Sequence, residues 1–372
     1  MKNNNIPKIR FPEFTDAWEK CKLGEVANIF DNLRIPVTAS ERIIGTTPYY
    51  GANGIQDYVD GFTHQGEFVL IAEDGANDIK NYPCEYVEGK IWVNNHAHVL
   101  SGKKNILDNP FLTYRIKSMD ISPYLVGGGR AKLNAKVMLK IELSVPTLPE
   151  QQKIGTFFRQ LDTLITLHKR KWDEVILLKK ALLQKMFPKN GSDFPEIRFP
   201  EFTHAWEKCK LGDCGKIVAG GDVDKNKLKP KGKYPVLANA LTNNGIIGFY
   251  DDYKHTSPAV TITGRGDIGY AIARETNFTA VVRLLVLKPK RYFDIFFLEN
   301  SINLKQIYIE STGVPQLTVP QISQYEIPFP SLAEQQKIGT FFRQLDRLIT
   351  LHKRQHEHYQ RLKKALLQQM FV

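Results

Sequence analysis

The sequence is poor in cysteine and contains no long apolar run. Four cysteines among 372 residues are too few for a disulfide framework and indicate a reducing compartment. No run approaches the roughly 18 apolar residues that a membrane-spanning helix needs. The opening residues MKNNNIPKIRFPEF lack the apolar core of a signal peptide. We therefore expect a soluble cytoplasmic protein with no membrane partner.

The chain also lacks motifs of common nucleotide-dependent enzymes. A phosphate-cradling loop needs G-x-x-x-x-G-K-[ST], and no Gly-Lys pair here is followed by Ser or Thr. The Asn/Asp-Pro-Pro-aromatic signature of amino-methyltransferases is absent too. Glu88-Gly89-Lys90 resembles the end of a metal-nuclease motif, but its upstream Asp partner is not evident, so a turn between strands is preferred. A self-sufficient nuclease or methyltransferase is disfavoured.

Positive charge is what the chain has in excess. The formal net charge is +12 and the isoelectric point is near 9.3, which favours a polyanionic partner, nucleic acid first. Residues 149–190 carry nine basic and four acidic residues, and residues 331–372 carry eight and three. Each single charge is best explained by a solvated helix face. The sequence does not decide whether these faces also meet DNA or an acidic protein.

The sequence is a tandem repeat with unlike middles. EQQKIGTFFRQLD occurs at Glu150–Asp162 and at Glu334–Asp346. A leading block, IRFPEFTDAWEKCKLG at Ile9–Gly24, recurs with one change at Ile197–Gly212. Between these blocks lie a first head (residues 25–148) and a second head (residues 213–332), which share only scattered residues. Matched flanks around unlike centres predict two equivalent supports that hold two differently specialised heads.

The longer repeated block predicts a long helix in each copy. Apolar residues recur at alternating steps of four and three from Ile154 to Met186, and the second copy has the same seam. This is the heptad pattern of a coiled coil. Pro149 and Pro188 fit a start and a stop. We predict helices over 150–187 and 334–371 that pack antiparallel, because this order needs the shorter connection.

Both heads are predicted to be mixed α/β domains. GEFVLIA (Gly66–Ala72) and AVVRLLVL (Ala280–Leu287) are short apolar runs typical of strands, while 110–119 and 293–309 suit short helices. The predicted fold class is α+β, a tandem repeat with approximate two-fold symmetry. Its predicted domains are residues 1–148, a helix in 149–190, residues 191–332, and a helix in 333–372.

These elements together resemble the DNA specificity subunits of type I restriction-modification systems. RFPEFTDAWEKCKLGE is similar to the family's lead into a target-recognition domain. GGGRAKLN (Gly127–Asn134), followed by VPTLPEQQKIGTFFRQLD (Val145–Asp162), is similar to the family's exit into its conserved helix. The second half repeats both with STGVPQLT and FPSLAEQQKIGTFFRQLD. The resemblance covers essentially the full length.

The resemblance implies a non-catalytic subunit that binds double-stranded DNA. Its two target-recognition domains would each read one half of a bipartite, asymmetric target. The helices would space these domains and dock two modification subunits, which bind S-adenosylmethionine and methylate adenine. Restriction subunits that use ATP and Mg join some assemblies and cut DNA, while this chain itself needs no cofactor. The alternative is a coiled-coil scaffold with two β-rich heads that bind protein or carbohydrate.

Base reading needs side chains of fixed donor and acceptor geometry on turns that reach a groove. Such turns are expected at 49–53, at 74–80 and after the triple glycine in the first head, and in three Asn- or Gly-containing stretches of the second. The candidate DNA-binding residues are Tyr49, Tyr50, Asn53, Asn77, Lys80, Arg130, Lys132, Asn239, Asn243, Asn244, Arg265 and Gln316. For each of them the alternative is an ordinary turn residue.

We predict no catalytic residue and no metal ligand in this chain. His352 and His356 lie one helical turn apart, as two ligands could. Their equivalents in the first copy are His168 and Trp172, and Trp binds no zinc. Polar seam residues that set the helix register are therefore preferred.

Two further pairs of residues have simple structural interpretations. His96 and His98 alternate along one predicted strand, where core or edge positions are favoured over catalysis. Cys21 and Cys209 occupy equivalent repeat positions and are expected to be small buried residues.

Overall fold

The computed structural model describes residues 5–127, 131–189, 191–305, 307 and 315–372. They form two compact units: Met1–Lys169 with Arg354–Val372, and Arg170–Lys353. Each unit contains one head and one segment from each of two 38-residue helices. Among the described residues, no helix is both long and apolar enough to cross a membrane.

The first unit is built on a six-stranded sheet with the order β2-β7-β5-β6-β3-β4, and a separate ribbon pairs β1 with β8. All neighbours are antiparallel except β3 and β6. The strands are β1 (Glu19–Lys22), β2 (Ala27–Ile29), β3 (Ile44–Gly51), β4 (Gly54–Val59), β5 (His64–Ala72), β6 (Cys84–Val93), β7 (Ala97–Gly102) and β8 (Glu142–Val145). The helices are α1 (Leu23–Val26), α2 (Asn109–Lys117), α3 (Ala135–Met138) and the first long helix, α4 (Leu148–Lys185).

The second unit divides its strands between two sheets, with the orders β10-β16-β13-β14 and β12-β11-β15, and has an equivalent ribbon of β17 and β9. Its strands are β9 (Glu207–Lys210), β10 (Gly215–Ala219), β11 (Tyr234–Leu237), β12 (Ile246–Tyr250), β13 (Ala259–Thr263), β14 (Ala271–Arg274), β15 (Thr279–Ala280), β16 (Leu284–Pro289) and β17 (Glu326–Phe329). Its helices are α5 (Leu211–Cys214), α6 (Ile295–Asn303), α7 (Val319–Ser323) and the second long helix, α8 (Leu332–Gln369).

The repeated peptide fastens each leading block to its long helix through a buried ion pair. The guanidinium of Arg10 donates two hydrogen bonds of 2.7 Å to the carboxylate of Glu150, whose side chain is fully buried. In the second unit Arg198 donates two bonds of 2.8 Å to Glu334, which is equally buried. A planar fork that meets both carboxylate oxygens is the strongest geometry for such a pair.

The next residue of the peptide fastens the helix to the head. The side-chain amide of Gln151 donates to the carbonyls of Ile106 and Pro146 and accepts from the backbone N–H of Asp108, the N-cap of α2. Gln335 makes the equivalent contacts to the chain before α6. One amide in each copy therefore sets the position of a head helix.

Glycine lets these helices approach closely. A Cβ on Gly155 would lie 2.7 Å from a carboxylate oxygen of Asp108 and 2.9 Å from the backbone N of Phe111. Gly339 meets the first turn of α6 in the same way. The glycine of the repeated peptide is therefore explained by the head helix that abuts it.

Within each unit α4 and α8 pack antiparallel, as predicted. In the first unit Lys363 Nζ lies 2.5 Å from Asp162 Oδ1, and in the second Lys179 Nζ lies 2.6 Å from Asp346 Oδ1. Burial and nearby Lys117 lower the pKa of Lys363, while the hydrogen bond to Asp162 opposes that change. The two lysines that interrupt the apolar seam thus join the helices through equivalent ion pairs.

Both long helices begin and end two residues before the predicted limits. Pro149 lies inside the first turn of α4, where a missing N–H is tolerated because it has no intrahelical acceptor. At the other end Met186 and Phe187 leave the helix and are buried beside Trp206 and Phe342. Tertiary packing therefore ends a helix that the seam alone would extend.

The expected turn at Glu88–Lys90 is also wrong. These residues lie within β6, where Glu88 pairs with Glu67 and Gly89 with Gly66 of β5. Both glycines have positive φ, 143° at Gly66 and 90° at Gly89. The local irregularity belongs to the ladder and does not reverse the chain.

Replacing Glu150 by glutamine should destabilise the first unit by about 3 kcal/mol, because the neutral amide leaves the Arg10 guanidinium without its counter-charge in a buried site. The measurement is chemical denaturation of the purified chain. The matched control is Glu13→Gln, which removes an exposed partner of Lys153 and should change stability little. Equal effects of both changes would contradict this assignment.

The stability of the second unit should fall between pH 4.5 and 7 because of Glu299. Burial raises the pKa of this carboxyl from 4.5 to about 7, with a further rise from Asp346, against the opposing effects of Lys179 and Arg274. In this range the unfolded chain loses the proton while the folded chain keeps it, so rising pH favours unfolding. Glu299→Gln should therefore stabilise the unit at pH 8, by at most about 3 kcal/mol, and change it little at pH 4. Urea titrations at both pH values measure this, and a gain independent of pH would exclude Glu299 as its source.

Candidate nucleic-acid interface

Three segments of the first head meet where β5 ends. They are the turn Ala52–Asn53, the loop 73–81 and the segment that leads to Leu133. The N–H of Leu133 donates to the carbonyl of Glu73 at 2.7 Å, and Asp74 and Lys132 form an isolated β-bridge. The predicted candidates of this head are therefore brought together from distant parts of the chain.

Asn53 holds the loop 73–81 in place. Its Nδ2 donates to the carbonyl of Gly75 and its Oδ1 accepts from the N–H of Asn77, both at 2.9 Å. The side-chain amide predicted to read a base is thus engaged with backbone groups. Asn53 anchors the loop that presents Asn77.

Two candidates of the first head are core residues. Tyr49 is 1% exposed and Tyr50 8%, and both belong to β3, so the predicted turn at 49–53 comprises only Ala52 and Asn53. The hydroxyl of Tyr49 bonds to the backbone N–H and carbonyl of Val37. Neither side chain is placed to reach a base, and we no longer count them as candidate readers.

A charged cluster lies beneath these loops. Glu73 accepts from Arg34 at 2.7 Å and from Lys132 at 2.8 Å. Burial alone would raise the pKa of Glu73, but the hydrogen bonds from these two cations hold it below its usual value. Buried His98 lies 2.6 Å from Asp31 through Nδ1 and 2.7 Å from the carbonyl of Leu133 through Nε2. Since both partners can only accept, this geometry requires a proton on each ring nitrogen.

Asp31, Glu73 and His98 come close enough to suggest a metal site. The contacts argue against this interpretation, because Arg34 and Lys132 already neutralise the carboxylates and both nitrogens of His98 are used. The cluster is better described as an ion-pair network that ties two loops together. Sequence reasoning missed it, apart from Lys132, because its members come from separate strands.

The remaining candidates of the first head differ in placement. Asn77 and Lys80 are exposed on the loop, with the loop turned by Asp78, whose carboxylate accepts from the N–H groups of Lys80 and Asn81. Lys132 keeps a 45% exposed side chain while it pairs with Glu73. Arg130 lies outside the described residues.

The second head uses the same plan with another anchor. The N–H of Gly264 donates to Oδ1 of Asn239 at 2.8 Å, and Nδ2 of Asn239 donates to the carbonyl of Val282 at 3.1 Å. The N–H of Leu317 donates to the carbonyl of Gly264, equivalent to the bond between Leu133 and Glu73. Asn239, predicted as a reader, therefore anchors a loop as Asn53 does.

The other candidates of the second head are exposed. Asn243 and Asn244 form a turn with positive φ at both residues, 50° and 53°, and Arg274 donates to the carbonyl of Asn244 at 2.9 Å. Arg265 lies at the exposed tip of the loop between β13 and β14, and Gln316 is exposed next to buried Leu317.

Glycines 264, 266 and 269 have the spacing G-x-G-x-x-G directly after β13. In a dinucleotide-binding turn this spacing opens a helix within a parallel βαβ unit. Here the loop leads into β14, which pairs antiparallel with β13. The glycines therefore shape a tight hairpin that presents Arg265.

Sequence reasoning missed a lysine-rich loop of the second head. Between β10 and β11 five exposed lysines alternate with other residues. They are Lys225, Lys227, Lys229, Lys231 and Lys233. The signal was visible in the sequence, but charge counted over whole domains conceals it. Such a loop is suited to contact phosphates.

Comparison with known proteins decides the family. The family model described as the type I restriction modification DNA specificity domain matches residues 15–177 and again 203–358. The chain belongs to the type I restriction-modification specificity subunits. The two matches confirm the tandem repeat and the α+β organisation of repeated specificity domains.

Similar proteins extend along nearly the whole specificity subunit. One named as a type I restriction enzyme specificity subunit in Haemophilus influenzae is 30% identical, covering 94% of this chain and 92% of that protein. The MjaVIII specificity subunit of Methanocaldococcus jannaschii is 22% identical, covering 98% and 95%. The crystal structure of a type I system S subunit from M. genitalium shares the fold, with a TM-score of 0.76, 14% identity and 99% coverage of both chains.

This membership establishes the general role of the chain. A specificity subunit is a non-catalytic, sequence-specific DNA-binding component that assembles with other subunits of its restriction-modification system. The alternative of a scaffold with protein- or carbohydrate-binding heads is not supported.

Asn53→Ala should increase hydrogen exchange at the amide of Asn77 roughly tenfold, since a lost hydrogen bond contributes about 1 kcal/mol to local stability. Asn239→Ala should do the same at Gly264 and leave the first head unchanged. Each variant is thus the control for the other in exchange measured by mass spectrometry. Unchanged exchange at both sites would contradict the anchor assignment.

Proposed function

We propose that the two heads each read one half of a bipartite, asymmetric DNA target and so direct adenine methylation or cleavage by partner subunits. The observation that carries this proposal is the common loop plan with unlike tips. In both units an asparagine fastens the loop after a buried strand, and a backbone bond ties that loop to the segment before Leu133 or Leu317. The exposed tips differ, with Asn77 in one head and Arg265 in the other.

The exposed tip residues are the proposed base readers. Asn can pair bidentately with adenine, and Arg with guanine, so Asn77 and Arg265 are the strongest candidates. Asn243, Asn244 and Gln316 are further candidates of the second head, and Arg130 stays a sequence-based one. Lys80, Lys132 and the lysine-rich loop suit phosphates, which carry no base identity.

We further propose two modification subunits as partners, which supply S-adenosylmethionine for methylation. Restriction subunits that use ATP and Mg are the further component when DNA is cut, and the complex works in the cytoplasm. In support, α4 and α8 expose identical side chains at equivalent positions, including Leu167, 40% exposed, and Leu351, 47% exposed. Two copies of one exposed surface suit two copies of one partner. The domain limits at 148, 190 and 332 remain predictions.

Exchange of residues 25–148 for the first head of a related subunit should change one half of the methylated sequence and leave the other intact. The readout is the methylated motif in cells that carry the matching modification subunits. The reciprocal control exchanges residues 213–332. A change of both half-sites by either exchange would refute separate reading by the two heads.

Arg265→Ala should relax base preference at one position of the second half-site, costing about 1–3 kcal/mol if Arg265 pairs with guanine. Replacing Lys225, Lys227, Lys231 and Lys233 by glutamine should instead weaken binding to all sequences and flatten the salt dependence by about 0.9 per lost phosphate contact. Binding of the assembled complex at two salt concentrations separates these effects. If Arg265→Ala weakened every sequence equally, Arg265 would be a phosphate contact.

A further inference from the structure

Two cysteines of the second unit bring their sulfur atoms together. Sγ of Cys209 on β9 and Sγ of Cys214 at the end of α5 lie 3.2 Å apart, and both are free thiols. Each sulfur also faces the carbonyl oxygen of Lys210, at 3.4 and 3.3 Å. Cys214 is buried and Cys209 is partly exposed.

The repeat shows that this pair is not required by the fold of the support. Cys21 occupies the position of Cys209 in the first leading block, and Val26 stands where the second unit has Cys214. Val26 and Cys214 each end the short helix after the first strand of their unit and are buried. Because valine fills this site in the first unit, the second thiol adds chemistry that packing does not need.

We propose that Cys209 and Cys214 form a redox-active dithiol, which a hydroperoxide oxidises to an intrachain disulfide. The thiolate of Cys209 attacks the peroxide, takes one oxygen as a sulfenic acid and releases an alcohol or water. The sulfur of Cys214 then attacks the sulfenic sulfur, loses its proton and expels water. In total two thiols and one hydroperoxide give one disulfide, one alcohol or water, and one further water.

The geometry assigns the two roles. Cys209 is the exposed partner and the one a peroxide can reach. Burial raises the pKa of the Cys214 thiol, and so does its hydrogen bond to Cys209. Cys214 therefore suits the resolving role, already in contact with the sulfur it must attack. The sulfurs need to approach by only about 1 Å to reach the bond length of a disulfide.

The bond would act on one head only. Cys209 pairs with Ile327 in the ribbon of β9 and β17, just before α8. Cys214 packs in the core of the second head with Leu211, Ile217 and Leu287. Oxidation would therefore tie the strand that leads into this head to its core, and would leave the first head reduced. This inference does not depend on which bases the heads read.

The test treats the folded, full-length chain with hydrogen peroxide, alkylates the remaining thiols and digests with trypsin. The four thiols per chain should fall to two. Because lysines at 208, 210 and 216 set the cleavage sites, the disulfide should appear as Cys209–Lys210 linked to Leu211–Lys216. The linked mass should disappear on reduction. Alkylated Cys209 and Cys214, at an exposure that already oxidises Cys21 or Cys84, would overturn the proposal.

The chain offers its own control. Cys21–Lys22 has the same sequence as Cys209–Lys210, so the linked peptide is assigned by variants. Cys21→Ser should keep it and Cys209→Ser should lose it, with the fold of each checked by circular dichroism. A linked peptide that survives Cys209→Ser and disappears in Cys21→Ser would overturn the proposal.

Discussion

The rest of each unit depends on the burial of one glutamate, Glu150 or Glu334, at the start of a long helix. A carboxylate removed from water is stable only when a cation and further donors meet it. The cation is an arginine 140 or 136 residues earlier in the chain. The positive end of the helix dipole also favours a carboxylate in the first turn. Each head is therefore a long excursion of the chain that closes where an arginine meets a glutamate.

This closure explains how two unlike heads use the same repeated peptide. The peptide fixes only where the chain enters, where it leaves, and where the first turn of α2 or α6 lies, through Gln151 and Gln335. Between these points the first head forms one six-stranded sheet, whereas the second forms sheets of four and three strands. A clamp that touches only the borders of a head places little demand on its interior.

The sequence predicts the long helices and their antiparallel order because a seam sustained over 38 residues outweighs local propensities. It predicts the α/β class of the heads from runs such as that of β5. It could not predict that Tyr49 and Tyr50 are buried, because two tyrosines before a glycine look like a turn as well as the end of a strand. Nor could it find the network around His98, because its contact with Asp31 joins residues 67 positions apart and depends on how strands pair.

The anchors show why the division between loop tips and loop bases matters for reading DNA. Ordering a free loop costs about 1–2 kcal/mol per residue, and a loop ordered only on contact would lose that amount from binding. Asn53 and Asn239 supply this order beforehand through hydrogen bonds to backbone groups, which do not depend on the side chains at the tips. In the first head the ion pairs of Glu73 add to it. A tip residue can therefore change without refolding its loop, so the base preference of each proposed half-site can vary while its framework stays the same.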